Sequence, residues 1–166
     1  MSENAHKAKT DAEKETISSR RYARERVMQT LYAVEMTHGD FPFLRRQIID
    51  SDAKLDETNK QFAVDLAVRA HDSEEECNEI LKKRSEHWDI SRMAAIDRAI
   101  LHMAIAELKY FSDVPPKVTI DEAIEIAKRF STAESGKFIN GILNAVLADL
   151  KQEHSIRKRG RGLREE

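Results

Sequence analysis

Apolar residues recur along this 166-residue chain at intervals of three and four positions. That spacing is typical of the buried face of an α-helix, whereas a half-buried strand alternates at every second residue. The pattern predicts five helices near residues 18–37, 42–51, 57–84, 91–111 and 134–151, and a sixth that begins at the capping box Thr119-x-x-Glu122. No segment requires a strand, so we expect an all-α protein.

Capping residues and prolines set the predicted helix ends. Residues 43–114 contain neither glycine nor proline, although average usage would place roughly nine there, so we expect caps to divide this stretch. Asp56 is the predicted N-cap of the third helix, and Asp89 or Ser91 that of the fourth. Residues 112–116 end in two prolines and are predicted to form a loop, because proline cannot continue a helix.

The connections between the predicted helices are short, which favours neighbouring helices packed as two small bundles. We assign residues 17–88 to an N-terminal helical subdomain and residues 89–152 to a C-terminal one. Residues 1–16 are polar and are expected to be a disordered tail. Residues 153–166 carry a run of arginines and lysine and are expected to be a disordered, basic tail.

Charge is distributed unevenly along the chain. Residues 27–150 carry 15 basic and 22 acidic side chains, a net charge of −7, whereas residues 1–26 have a net charge of +2 and residues 151–166 one of +3. With 40% hydrophobic and 35% charged residues, the composition is that of a soluble globular chain. Basic ends on an acidic body indicate that the ends meet a polyanion.

Several classes of protein are excluded by what the sequence lacks. No apolar run approaches the ~20 residues that span a bilayer, and no secretory signal opens the chain, so we expect a cytoplasmic protein. Cys77 is the only cysteine, which excludes disulfide scaffolds and thiolate zinc sites. There is no glycine-rich phosphate loop and no histidine pair at i, i+4. We therefore expect no enzymatic activity, no cofactor and no metal.

A first candidate site lies on the first predicted helix. At ~100° per residue, Arg20, Arg21 and Arg24 fall side by side on one flank of its apolar stripe, and Tyr32 lies further along the same side. Guanidinium groups on a rigid helix suit phosphate oxygens, which points to a nucleic acid. The alternative is a basic, solubilising helix edge that pairs with the acidic body.

A second candidate site lies on the last predicted helix. Glu134, Lys137, Phe138 and Gly141 share one face, beside the apolar stripe rather than on it. At this position one face of the Phe138 ring remains available for stacking on a base, and Asn140 can donate to a phosphate or a base edge. Alternatively, Phe138 belongs to the core and Gly141 admits a neighbouring helix.

Both sites lie within motifs that resemble the NusB family of bacterial transcription antitermination factors. The resemblance covers about residues 18–150. The motifs that carry it are Arg20-Arg21-Tyr22-Ala23-Arg24-Glu25, Val27-Met28-Gln29-Thr30-Leu31-Tyr32, Ile96-Asp97-Arg98-Ala99-Ile100-Leu101, Asp113-Val114-Pro115-Pro116-Lys117-Val118, Ile120-Asp121-Glu122-Ala123-Ile124-Glu125 and Lys137-Phe138-Ile139-Asn140-Gly141-Ile142-Leu143.

The resemblance implies a non-enzymatic protein of two helical bundles. It implies binding to the boxA element of single-stranded leader and ribosomal RNA, together with NusE, a small-subunit ribosomal protein, in an RNA polymerase antitermination complex. The RNA-binding residues implied by position are Arg20, Arg21, Arg24, Tyr32, Lys137, Phe138 and Asn140. The implied partner-binding residues are Glu134, Glu107 and Tyr110.

Some features depart from the family pattern or leave alternatives open. Ala106 stands where the family usually has an aromatic residue, which puts part of the partner surface in doubt. A helical protein-interaction module without an RNA role remains possible from the sequence alone. So does the helical domain associated with some RNA methyltransferases, although 166 helical residues leave no room for a domain that holds the methyl donor. The apolar faces of the helices can be buried within one chain or between two chains, so a homodimer is also left open.

Overall fold

The computed structural model describes residues 2–84 and 90–153, with side chains described over residues 19–84 and 91–153. The described residues form seven α-helices, α1 (Ser2–Thr37), α2 (Phe41–Arg45), α3 (Glu57–Asp72), α4 (Glu74–Lys82), α5 (Ala95–Tyr110), α6 (Pro116–Phe130) and α7 (Ala133–Gln152). A π-helical turn over Arg46–Asp50 follows α2, and a 3-10 turn over Ile90–Arg92 precedes α5. No strand occurs in these two stretches, and the all-α prediction is confirmed.

Helix α5 lies at the centre of the molecule. Every residue of α5 from Ala99 to Leu108 is buried, and the helix packs against α1 and α3 as well as against α6 and α7. A helix that is apolar on nearly every side is expected only where neighbours surround it. The two bundles therefore share α5, and the predicted subdomain boundary between residues 88 and 89 stays a prediction.

The N-terminal end of α1 differs from the sequence prediction. The helix was expected to begin near residue 18, after a disordered segment of residues 1–16, but the helical backbone extends back to Ser2. The segment lacks glycine and proline and is rich in alanine, lysine and glutamate, which are among the strongest helix formers. Polar side chains give this segment little reason to pack against the core, but they do not lower its propensity to form a helix. The basic tail predicted over residues 153–166 lies outside the described residues except for Glu153.

The predicted helix over residues 57–84 is two helices, because the helix is interrupted at Ser73. The Ser73 hydroxyl donates to the Arg69 carbonyl oxygen at 2.6 Å, a side-chain bond of the kind that bends or ends helices. Cys77 and Leu81 on α4 are then buried, and α4 packs against α5. The break was not predicted because it depends on this tertiary packing.

Of the predicted N-caps, only that of Asp56 is confirmed: its carboxylate accepts from the Asn59 amide at 2.8 Å. Ser91 lies in the 3-10 turn, so its predicted capping role is wrong, and Asp89 lies outside the described residues. The predicted capping box at Thr119 is also wrong, because α6 begins three residues earlier at Pro116. Proline at the first helical position needs no hydrogen-bond acceptor and has a suitable φ.

A buried histidine makes the stability of the fold depend on pH. His102 on α5 is 8% exposed, and its Nε2 lies 2.9 Å from Oδ1 of Asn78. Burial lowers the pKa of His102; the charges of Glu74 and Glu35 act against this shift, and that of Arg98 adds to it. A histidine with a lowered pKa in the folded state stabilises the fold above its unfolded pKa of about 6.5, and that contribution is lost as the pH falls towards the folded value.

We therefore expect the free energy of unfolding to fall between about pH 7 and pH 5. The His102→Gln variant, which keeps a polar side chain without a proton to gain, should show a flatter profile over that window. Urea unfolding at several pH values measures both profiles. Equal slopes for the two proteins would contradict the assignment to His102.

Candidate nucleic-acid interface

Arg24 is part of the core rather than of the surface. It is 4% exposed, and its guanidinium donates to both oxygens of Glu107, the shortest distance being 2.6 Å from Nη2 to Oε1. The Thr119 hydroxyl donates to the same carboxylate at 2.9 Å, and Glu107 is itself 1% exposed. This triad joins α1, α5 and α6. Arg24 therefore supports the basic helix edge and does not present its charge to solvent.

Arg20 lies one turn before Arg24 and is half-buried against an aromatic ring. Its guanidinium carbon lies 4.1 Å from the centroid of the Phe62 ring on α3, within the range of a cation–π interaction. Burial lowers the pKa of Arg20, and the charge of Arg24 lowers it further, whereas the nearby Asp113 acts the other way. Arg20 is thus held in place through its guanidinium plane.

Arg21 is the most exposed of the three arginines for which the sequence predicted a phosphate role. Its side chain is 38% exposed and makes a bidentate contact with Glu122 on α6, at 2.7 Å from Nε and 3.0 Å from Nη2. The hydrogen bond to Glu122 raises the pKa of Arg21. A second bridge between the same helices, at 2.9 Å, joins Arg129 of α6 to Glu25 of α1. Arg21 therefore has a fixed direction and an accessible charge.

The exposed face of α7 carries the second candidate site. Lys137 and Glu134 are 78% and 85% exposed in their side chains and form an i, i+3 pair at 3.5 Å. Asn140 is exposed, and its side-chain and main-chain oxygens both accept from the Asn144 amide. Because an exposed pair of this kind contributes little to stability, the Lys137 ammonium can exchange Glu134 for another anion at low cost.

Phe138 packs against the core but is not enclosed by it, since the side chain is half-buried. Gly141, which the alternative interpretation placed against a neighbouring helix, is exposed. Gly136 lies against α6: a Cβ there would lie 3.4 Å from Cγ of Lys128 and 3.7 Å from Cγ2 of Ile124, which are ordinary van der Waals distances. Helix α7 packs along α6 at this point.

The two candidate sites border the same helix. Arg21 and Glu25 of α1 contact one part of α6 through Glu122 and Arg129, and Gly136 of α7 faces another part of it. An open pocket of about 260 Å³ adjoins the arginines, and its lining comprises Arg20, Arg24, Phe62, Phe111, Asp113, Val114, Pro115, Val118 and Glu122. None of these lining residues belongs to α7, so this pocket is not shared between the two sites.

The remaining predicted site residues have different surroundings. Tyr32 is half-buried and packs against the core. Tyr110 is 41% exposed, and its hydroxyl donates to Glu76 at 2.6 Å. Glu107 was a predicted partner contact, but its burial against Arg24 keeps it from the surface. Ala106 is fully buried, so the departure at this position affects the core and not an exposed partner surface.

A family model described as the NusB family matches residues 21–148. These residues extend from the basic edge of α1 to the last turns of α7. The chain belongs to the NusB family. The resemblance in the sequence motifs is thereby confirmed, and so is the prediction of a non-enzymatic protein, because the NusB family is one of transcription antitermination factors.

Individual NusB proteins agree with this membership. The transcription antitermination protein NusB of Salinibacter ruber is 48% identical over 147 residues, which cover 89% of this chain and 92% of that protein. NusB of T. maritima is 34% identical, with a TM-score of 0.73 over 78% of this chain and 91% of that one. A crystal structure of the antitermination factors NusB and NusE in complex with dsRNA contains a chain with the same fold, at 23% identity and a TM-score of 0.72, covering 80% of this chain and 98% of that one.

Sequence reasoning missed the roles of Thr119 and Glu122 in this chain. Both were interpreted as a capping box, yet one binds Glu107 and the other binds Arg21. A signal was present: Thr119, Glu122 and Ala123 share one face of α6 with Ile126. Polar residues within a buried stripe require partners on another helix.

The described residues contain neither a candidate metal site nor a helix that could cross a membrane. Among residues 2–84 and 90–153, no three histidine, cysteine, aspartate or glutamate side chains come together as a set of metal ligands. Within the same stretches no helix combines the length and apolar character needed to cross a membrane.

Proposed function

We propose that this NusB-family chain acts in transcription antitermination by binding boxA-type single-stranded RNA of ribosomal RNA operons together with a NusE-like ribosomal protein, in an RNA polymerase antitermination complex. The observation that carries the proposal is the fixed, solvent-accessible cation Arg21 beside Arg20 on α1, in a chain of this family. The ion pair to Glu122 orients Arg21 in advance, which lowers the entropy cost of binding phosphate. This role places the protein in the cytoplasm, where bacterial transcription occurs.

Each candidate residue has a role that follows from its exposure. Arg21 and Lys137 hold phosphates, because their charges reach solvent. Phe138 provides a ring for a base, and Asn140 offers an amide to a base edge. Charge alone carries no sequence information, so selectivity comes from these base contacts and from the partner.

Arg24 has a supporting role in this proposal. Its charge is neutralised by Glu107 inside the core, where a phosphate would have to displace a buried, bidentate partner. Such a displacement leaves Glu107 unpaired, which is costly in a low-dielectric interior. Arg24 therefore positions Arg20 and Arg21 through the helix that carries all three.

The partner-facing residues that remain are Glu134 and Tyr110. Both are exposed, and the acidic body of the chain suits a basic ribosomal protein. The NusE-like partner is the one named with NusB in the solved complex that shares this fold. Tyr32, half-buried on α1, adds apolar contact along the RNA path.

A titration tests the proposal directly. We expect the full chain to bind a single-stranded RNA that carries a boxA element at least tenfold more tightly than a base-scrambled control of the same composition. Addition of the NusE-like protein should increase the affinity for the boxA RNA and leave the scrambled RNA nearly unchanged. Fluorescence anisotropy at fixed salt measures both, since affinities for nucleic acids have meaning only at a stated salt concentration.

The same titration distinguishes the competing function. A chain that binds the NusE-like protein but shows equal, weak affinity for both RNAs would be a protein-interaction module, and the RNA role would be wrong. Equal binding of both RNAs in the presence of the partner would likewise contradict sequence selectivity.

A further inference from the structure

The pocket beside Arg20 has the size and lining of a subsite for one flat group. Its volume is about 260 Å³, which is just below the range of pockets that hold drug-sized ligands and several times the volume of one water. Phe62 forms one wall, and the loop and first turn of α6 form another through Val114, Pro115 and Val118. Val118 is 42% exposed, so the apolar wall opens to solvent.

Two of the four charged residues that line the pocket, Arg20 and Asp113, offer an occupant different chemistry. Arg20 is stacked on Phe62, and a guanidinium plane is one of the surfaces on which unpaired bases stack in RNA-binding proteins. Asp113 is exposed, and among the described residues its carboxylate accepts no hydrogen bond. A carboxylate can only accept, so it favours a base whose exocyclic group is an amine donor and is repelled by the O4 carbonyl oxygen that uracil carries at that position.

We infer that this pocket takes one unpaired nucleobase of the bound RNA, and that Asp113 favours a base with an exocyclic amine over uracil. The inference rests on the proposed RNA function and adds a base-specific position to it. Charge supports RNA as the occupant, because Arg21 is the next residue of α1 and Lys117 is exposed beside Val118 on α6. Phosphates on either side of the inserted base then have cations within reach.

Substitution of bases in the RNA tests the inference. In a boxA-type RNA each nucleotide in turn is made abasic or changed to uracil, and the affinity of the full chain is measured. We expect one position, where the base carries an exocyclic amine, at which uracil weakens binding about tenfold through loss of the bond to Asp113. The Asp113→Asn variant should reduce that penalty to less than threefold at this position only, because an amide can donate to uracil as well as accept from an amine.

Asp121 offers a matched control. It is an exposed carboxylate on α6 outside the pocket lining, so Asp121→Asn removes the same charge and should leave the uracil penalty at about tenfold. Circular dichroism of both variants checks that helicity is unchanged.

Each other outcome overturns the inference in a distinguishable way. If Asp113→Asn leaves every uracil penalty unchanged while the chain still prefers boxA RNA, the pocket assignment is wrong and the proposed function stands. If the variant weakens binding of the NusE-like protein but not of RNA, the pocket takes a protein side chain. If the unmodified chain has no preference for boxA RNA at all, the proposed function fails and the subsite fails with it.

Discussion

Replacement of Arg24 by glutamate is expected to lower the free energy of unfolding by about 3–5 kcal/mol, the usual cost of breaking a buried ion pair from one side. The substitution leaves Glu107 without its bidentate partner and places a second carboxylate beside it in the core. The total free energy of unfolding of a domain is about 5–15 kcal/mol, so this loss removes a large fraction of the stability. Urea denaturation followed by circular dichroism at 222 nm measures the loss.

Two further variants separate loss of the ion pair from a general effect of charge. Lys54→Glu reverses a charge at an exposed position and should change stability by no more than about 0.5 kcal/mol. The triple variant Arg24→Met/Glu107→Leu/Thr119→Val replaces the whole triad by apolar side chains, which is often neutral or stabilising. We expect it to recover most of the stability and to bind RNA nearly as the original chain does. A stable triple variant that had lost RNA binding would show that RNA binding needs the charge of Arg24 itself, which would contradict the purely supporting role.

A chain in which Arg21 and Lys137 are both glutamine is expected to bind boxA-type RNA about 25-fold more weakly at about 0.1 M salt. Each cation that neutralises one phosphate of a single strand contributes about 0.7 to the slope of log affinity against log salt concentration, which amounts to about fivefold at that concentration. The slope should therefore become shallower by about 1.4. Glutamine at position 21 keeps a donor for Glu122, which limits the effect on folding. Anisotropy titrations between about 0.05 and 0.2 M salt measure affinity and slope together.

Helix α4 and the residues after it provide a matched pair of control substitutions. Lys82 forms an i, i+3 pair with Glu79 at 3.4 Å, the same arrangement as Lys137 with Glu134. Arg84, two residues after the end of α4, forms an ion pair with Asp149 of α7, as Arg21 does with Glu122 of α6. The Lys82→Gln/Arg84→Gln variant removes the same net charge and should keep both the affinity within about threefold and the slope. Equal losses of RNA affinity in the two double variants would mean that binding depends on the total charge of the protein and not on the assigned faces.

The helices and their buried faces were predictable from the sequence because side-chain spacing alone determines which positions share a face. The Asp56 cap was predictable for the same local reason, since its acceptor and the Asn59 amide are three residues apart. The break at Ser73 was not, because nothing within the segment outweighs the continued helix until α5 is present to bury Cys77 and Leu81.

The candidate site shows the same limit. Helical geometry predicted Arg20, Arg21 and Arg24 on one flank, and all three were assigned the same role of binding phosphate. In the structure they differ in burial, and therefore in role. Arg24 pairs with Glu107, which lies 83 residues further along the chain. A pairing between such distant residues produces no periodic pattern in the sequence. The pocket that Arg20 lines is formed by three helices and a loop, so no single sequence motif predicts it.

The enclosure of α5 limits where this scaffold can vary. A side chain surrounded by close-packed neighbours cannot change size without displacing them, and α5 touches both bundles at once. A homologue can thus acquire a new ligand preference most cheaply on helices with one open side, such as α1, α6 and α7. We therefore expect the sequence of α5 to vary least among relatives, and the sequences of the surrounding helices to vary most.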